Sequence, residues 1–284
     1  MWCTSGCGSR EASTREGAAA PGDAAHAREA PFPDLTTPDP GADVELPELA
    51  PRTVLRPIRL LLDAGHGALD NAGNTSTYGV EEQEFTLDLA QDVRAELEAT
   101  GWFEVRTSRA AGELTAYAAR IDAARAMGAD AFVSLHSDVR GAARSWSPLP
   151  GLETRAALDA PGFSVLFSDE GEAGLVARRR TLAAAIADSM RGAGFFPYGG
   201  AEYEGLYAAD AACAGSFVDR HEDRKRIFVL RRTSIPSVIV ETHNALDPRE
   251  AARWDESFTR RAFALSLARA LVAAVDSRAT TSRD

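Results

Sequence analysis

Two histidines and one glutamate stand at the ends of apolar runs of strand length, and a second glutamate opens a helical pattern. His66 follows IRLLLDAG, His136 closes AFVSLH, Glu241 closes SVIVE, and Glu82 heads EQEFTLDLA. Two imidazoles and one carboxylate can hold a divalent metal and leave a fourth position open to water, the coordination of catalytic zinc in many hydrolases. A further carboxylate outside the metal's ligand set can then act as general base. Singly, each residue has a plainer account. A strand-end histidine can satisfy buried backbone groups, a first-turn glutamate answers the helix dipole, and a strand-end glutamate can pair with an arginine. The joint reading rests on all four converging on one edge of a sheet.

The elements that would bring them there follow from the hydrophobic pattern. IRLLLDAGHG reads as a strand buried on both faces that stops at a glycine-bounded turn, as strands of an open α/β sheet do at their carboxyl edge. A polar loop, ALDNAGNTSTYGV, leads to a helix near Glu81. Its apolar stripe of Phe85, Leu89, Val93 and Leu97 recurs every four residues, and Thr100-Gly101 stops it. WFEVRTS and AFVSLHSD read as strands separated by a helix over 114–127. This strand and helix alternation gives right-handed crossovers. The fold class is therefore α/β, a mostly parallel twisted sheet with helices on both faces.

Beyond Asp138 the pattern weakens. Residues 139–161 read as a polar connection, GFSVLFS as a strand and residues 174–191 as a helix. Residues 192–226 read as a long loop near an active site, with a short helix as an option within it, since loops of that length are usually functional or mobile. IFVLRR and SIPSVIVET read as two further strands, and residues 258–275 as a long helix covering one sheet face.

With 284 residues and a formal charge of -11, the chain can bury a full α/β core and lacks the basic surface of a nucleic-acid binder. The three cysteines, at positions 3, 7 and 213, have no zinc-finger or disulfide spacing. No stretch is apolar for long enough to span a bilayer. Residues 1–52 are rich in Ala, Pro, Gly, Glu and Asp and read as a disordered tether. Thr4-Ser5-Gly6-Cys7 matches the end of a lipoprotein signal, with Cys7 as the lipidated, membrane-attaching residue; an uninformative disordered start is the other reading. The ordered domain is expected over 53–277, with a frayed tail over 278–284.

DAGHG, Glu82 ahead of QEFTLDLA, Arg109 after a strand, FVSLHSD and IPSVIVET resemble, in order and spacing, the zinc-dependent N-acetylmuramoyl-L-alanine amidases that cleave bacterial peptidoglycan. The resemblance spans Ile58 to Val275. It implies an amidase-like fold, zinc held by His66, Glu82 and His136, and Glu241 as the catalytic carboxylate. It makes Arg109 and Arg120 ion-pairing scaffold. It also implies peptidoglycan as substrate, room for a protein activator, and an exported protein of the periplasm or cell envelope. The chain departs from the family at Ser137-Asp138 and at Thr242-His243-Asn244, where His243 and Asn244 are candidates for substrate contact or for filling space. Two other readings stay open: an inactive wall-binding relative, and a zinc peptidase acting on stem peptides.

Overall fold

Residues 58–64 form an interior strand: Leu60, Leu61 and Leu62 are fully buried in succession, as in a sheet covered on both faces. The computed structural model describes residues 35–36, 39–51, 53–54, 56–222 and 225–281, with side chains of the last helix through Val275. The expected lipidation at Cys7 lies outside these residues. The strands are β1 (Ile58–Ala64), β2 (Phe103–Thr107), β3 (Ala131–Asp138), β4 (Arg144–Leu149), β5 (Leu152–Ala156), β6 (Ser164–Phe167), β7 (Tyr207–Ala209), β8 (Ser216–Asp219) and β9 (Ser237–Asn244). The helices are α1 (Glu82–Ala99), α2 (Tyr117–Met127), α3 (Ala173–Gly192), α4 (Phe228–Arg232), α5 (Pro248–Trp254) and α6 (Ser257–Thr281). No helix among the described residues is long and apolar enough to cross a membrane.

A seven-stranded sheet runs in the order β2-β1-β3-β9-β6-β8-β7. The first four strands are mutually parallel, β6 is antiparallel to β9, and β7 is antiparallel to β8. Helices α1, α3 and α6 cover one face through Leu89, Val93, Ile186, Phe263 and Leu267. On the other face α2 and α4 pack Ala124, Val229 and Leu230 over Leu61, Phe132 and Ile239. The parallel run β1, β3, β9 aligns three carboxyl ends, which is the property the site needs.

Five expectations are corrected. IFVLRR is not a strand: Phe228–Arg232 is a single helical turn whose start is held by the Ile227 N–H donating to Asp219 Oδ2 at 2.8 Å. The connection over 139–161 contains the antiparallel β4 and β5 hairpin, in which Thr154 opposes Trp146. The loop over 192–226 contributes β7 and β8 to the sheet edge. Within the expected tether, residues 39–51 lie on the domain: Val44 and Leu49 pack against the core, the Glu45 N–H donates to Ala193 O at 2.8 Å, and Asp39 pairs with Arg253 at 3.2 Å. Two apolar side chains, a backbone hydrogen bond and an ion pair dock this acidic segment. The final helix reaches Thr281, past the expected end at 275.

Candidate metal centre

Three polar side chains meet where β1 and β3 end and α1 begins. His66 sits two residues past β1 with φ of 56°, a left-handed conformation that costs a non-glycine residue about 1 to 3 kcal/mol. Glu82 is the first residue of α1 and is buried. His136 lies near the end of β3. His66 Nε2 is 3.0 Å from Glu82 Oε2, and His136 Nδ1 is 3.0 Å from Glu82 Oε1. All three ligand atoms lie within 4.8 Å of one another. Tetrahedral zinc with bonds near 2.0 to 2.2 Å keeps its ligand atoms about 3.3 Å apart, so small side-chain adjustments admit the ion.

The donors themselves also fit a cation. Asn71 Nδ2 donates to the Tyr117 hydroxyl at 2.7 Å, which leaves Asn71 Oδ1 to accept from His66 Nδ1 at 2.8 Å. In the neutral ring the lone pair of His66 Nε2 then faces a carboxylate, an arrangement that a proton or a metal ion between them relieves. Burial works against charge on His66, yet the hydrogen bond and field of Glu82, helped by Asn71, raise its pKa. Burial likewise opposes charge on Glu82, but its bonds to His136 and His66 hold the carboxyl well below the usual range. The pocket retains its anion and attracts a cation.

Glycines let these groups close up. A Cβ on Gly73, which has φ of 83°, would stand 2.6 Å from Glu82 Oε2 and 2.7 Å from His66 Cγ. Asn74 steadies Glu82 from the other side: its Nδ2 donates to Oε2 at 2.8 Å and its backbone N–H at 3.0 Å. The Ser137 N–H donates to Oε1 at 3.0 Å. Arg109 donates to the carbonyls of Ala64 and Gly65 at 3.1 Å each and of Gln83 at 2.5 Å, tying β1 to the start of α1 as scaffold. Arg120 is fully buried and binds Asp63, Ala64 O, Thr115 O and His66 O.

The model of the N-acetylmuramoyl-L-alanine amidase family matches residues 60–273, which include all of these side chains. The chain belongs to that family. The N-acetylmuramoyl-L-alanine amidase AmiC of Neisseria meningitidis serogroup B is 34% identical over 110 residues, 39% of this chain and 24% of that protein. AmiC of Escherichia coli O6:H1 is 34% identical over 83 residues, 29% of this chain and 20% of that protein. The matched stretches thus span about a quarter or less of these relatives' lengths. Among solved structures, the amidase Ami1 of Mycobacterium smegmatis superposes with a TM-score of 0.60 at 23% identity, covering 79% of this chain and 100% of that one. That likeness speaks for the fold.

In this amidase domain Glu241 is in register with His136 on the neighbouring parallel strand and with Ser164 on the antiparallel one. It is half-buried, and its Oε2 is enclosed without a hydrogen-bond donor. Burial first, then the charges of Asp138 and Glu82, raise its pKa well above the ordinary carboxylate value, with Arg140 opposing. Such a group binds a proton readily when one is offered.

His243 and Asn244 are not surface groups awaiting a substrate. Between the pairs His136 with Glu241 and Asp138 with Asn244, β9 carries one extra residue. Such a bulge re-aims the following side chain. His243 consequently turns to the α1 and α6 face, stacking on Trp254 at 5.6 Å and meeting Phe85 edge-on at 5.0 Å. Burial, with Arg253 and Arg140, pulls its pKa down to about 3, so the ring is neutral. It lines a cavity of about 20 Å³, room for one water, with Glu82, Ser137 and Tyr78 among the walls. Asn244 is fully buried, its Oδ1 accepting from the Arg140 and Leu246 N–H groups and its Nδ2 donating to Arg140 O.

Glu250 supports this turn, its Oε2 accepting from the Asn244 and Gly162 N–H groups at 2.9 and 3.0 Å. Burial outweighs those bonds and the nearby Arg253, and its pKa is pushed up to about 7 from 4.5. The unfolded chain therefore releases this proton at lower pH than the folded one. The favourable contribution is complete below pH 4.5 and is lost as pH rises through about 7, amounting to about 3 kcal/mol. In denaturant titrations between pH 4.5 and 8, Glu250→Gln is expected to remove that part of the pH slope whatever its constant offset. An unchanged slope would refute the assignment.

Sequence reasoning missed Asn71, Asn74, Asp63 and Ser134. The signal was present for two of them: Asp63 and Ser134 interrupt the fully apolar runs LLLDAG and FVSLH. A polar group at such a position needs a buried partner.

Proposed function

We propose that the chain hydrolyses the amide bond between the lactyl group of N-acetylmuramic acid and L-alanine in peptidoglycan, in cell-wall remodelling or daughter-cell separation. The observation that carries this is the meeting of His66, Glu82 and His136 within 4.8 Å, with Glu241 one strand away from His136. His66, Glu82 and His136 would hold zinc, which when bound supplies a Lewis acid and an acidified water at neutral pH. Glu241 takes the proton of the attacking water and returns it to the departing amine of L-alanine. His66 and His136 stay oriented through Asn71 and Ser134, so the protein side need not reorganise during the step. A wall substrate would place this work outside the cytoplasm, in the cell envelope.

Digestion of purified peptidoglycan followed by mass spectrometry tests the reading. Release of intact stem peptides beginning with L-alanine is expected. Shortened stems still attached to glycan would instead indicate a peptidase, and an unaltered wall an inactive binding relative. Dialysis against a chelator is expected to abolish release, and stoichiometric zinc to restore it. Persistence of full activity in metal-free protein, checked by elemental analysis, would overturn the metal assignment.

A further inference from the structure

Resting on the reading of His66, Glu82 and His136 as a metal site, we infer that Ser134 is a positioning residue that fixes which nitrogen His136 gives to the metal, and that this nitrogen is Nδ1.

The argument is a count of protons along a buried chain. Asp63 Oδ1 accepts from Arg120 at 2.9 Å, and Asp63 Oδ2 accepts from the Ser134 hydroxyl at 2.5 Å. A carboxylate only accepts, so the single hydroxyl proton of Ser134 is committed to Asp63. Ser134 Oγ also lies 3.1 Å from His136 Nε2 and has only lone pairs left to offer it. His136 must therefore carry its proton on Nε2. In the neutral ring the Nδ1 lone pair is then the one facing Glu82 Oε1 at 3.0 Å.

Packing holds the ring in that orientation. The Nε2 and Cε1 edge lies against Gly65, where a Cβ would come within 2.5 and 2.6 Å of those atoms. Asp63, Ser134 and Arg120 are all at most 1% exposed, so water does not compete for these bonds. His66 is held oppositely. Its Nδ1 bonds Asn71 and its Nε2 faces Glu82, so the metal receives Nε2 from one ring and Nδ1 from the other. Outer partners of this kind set ligand tautomer and typically govern metal affinity by about 10- to 100-fold.

The test uses the full chain labelled with 15N-histidine and titrated with zinc, observed by long-range 1H–15N correlation. Two imidazoles are expected to respond, one coordinating through Nε2 and the other through Nδ1. Two rings both coordinating through Nε2 would overturn the inference while leaving the metal site intact. Absence of any zinc response would overturn the metal site and the inference with it. Ser134→Ala is expected to weaken zinc binding about 10- to 100-fold in a chelator competition and to loosen the choice of Nδ1 in the nitrogen pattern, a readout that a loss of stability at Asp63 alone would not move. Ser134→Thr, which keeps the hydroxyl, should restore binding. Wild-type zinc affinity and an unchanged nitrogen pattern in Ser134→Ala would refute the role.

Discussion

Replacing Glu241 by Gln is expected to leave zinc content unchanged and to slow release of stem peptides from purified peptidoglycan by about a hundred- to ten-thousandfold, the range for loss of a positioned general base. The amide has nearly the shape of the carboxylate, and Glu241 shares no bond with His66, Glu82 or His136, so the ligand cluster should persist. What disappears is the ability to take a proton. Burial, with Asp138 and Glu82 nearby, raises the affinity of the native carboxylate for a proton. Asp138 is the neighbouring acid that could be mistaken for the base. Its Oδ2 accepts from the Tyr203 hydroxyl at 2.5 Å and its Oδ1 from the Val139 N–H at 2.8 Å, so it is already engaged. Glu241 Oε2 is not. Elemental analysis together with mass spectrometry of released peptides checks both halves, and a fully active, zinc-loaded Glu241→Gln would show that another group accepts the proton.

The parts of the fold that were legible in the sequence are those where one pattern dominates. Leu60 to Leu62 belong to a short apolar run that a glycine-bounded turn stops, which reads as an interior strand, and Leu89, Val93 and Leu97 recur every four residues, which reads as the sheet-facing stripe of α1. The three ligand candidates were legible because they terminate or begin such elements. Residues 227–232 were not: IFVLRR is too short to show a period, and Asp219, which holds the Ile227 N–H, arrives from β8. The bulge at Thr242-His243 was invisible for a related reason, since register belongs to a pair of strands and β3 had to be in place first. Residues 192–226 illustrate the same dependence. Their strands exist only as additions to β6, and Tyr203 from this segment reaches Asp138 and Ser164 beside Glu241. The segment is therefore built into the sheet edge, and excising it would remove two strands along with the loop.

Replacing Arg120 by Met is expected to lower unfolding stability by about 3 to 5 kcal/mol, the cost of leaving a buried charge without its partner. Met keeps much of the apolar volume, so the loss isolates the polar contacts. Asp63, 1% exposed, would keep only the Ser134 hydroxyl as a donor, and the carbonyls of Ala64, His66 and Thr115 would lose the guanidinium that gathers them. The consequence should reach the metal centre, because His66 sits at φ of 56° and Arg120 grips its carbonyl. A residue held in that conformation needs surroundings that over-determine it. Zinc affinity should therefore fall together with stability in Arg120→Met. A cycle with Asp63→Asn separates the two causes: if the uncompensated carboxylate is the main cost, the double variant will be more stable than the sum of the single losses predicts. Denaturant titration of all four proteins, with chelator competition for zinc, provides the measurements. A loss under 1 kcal/mol for Arg120→Met would mean that Asp63 finds its compensation elsewhere and that the turn after β1 holds without the guanidinium.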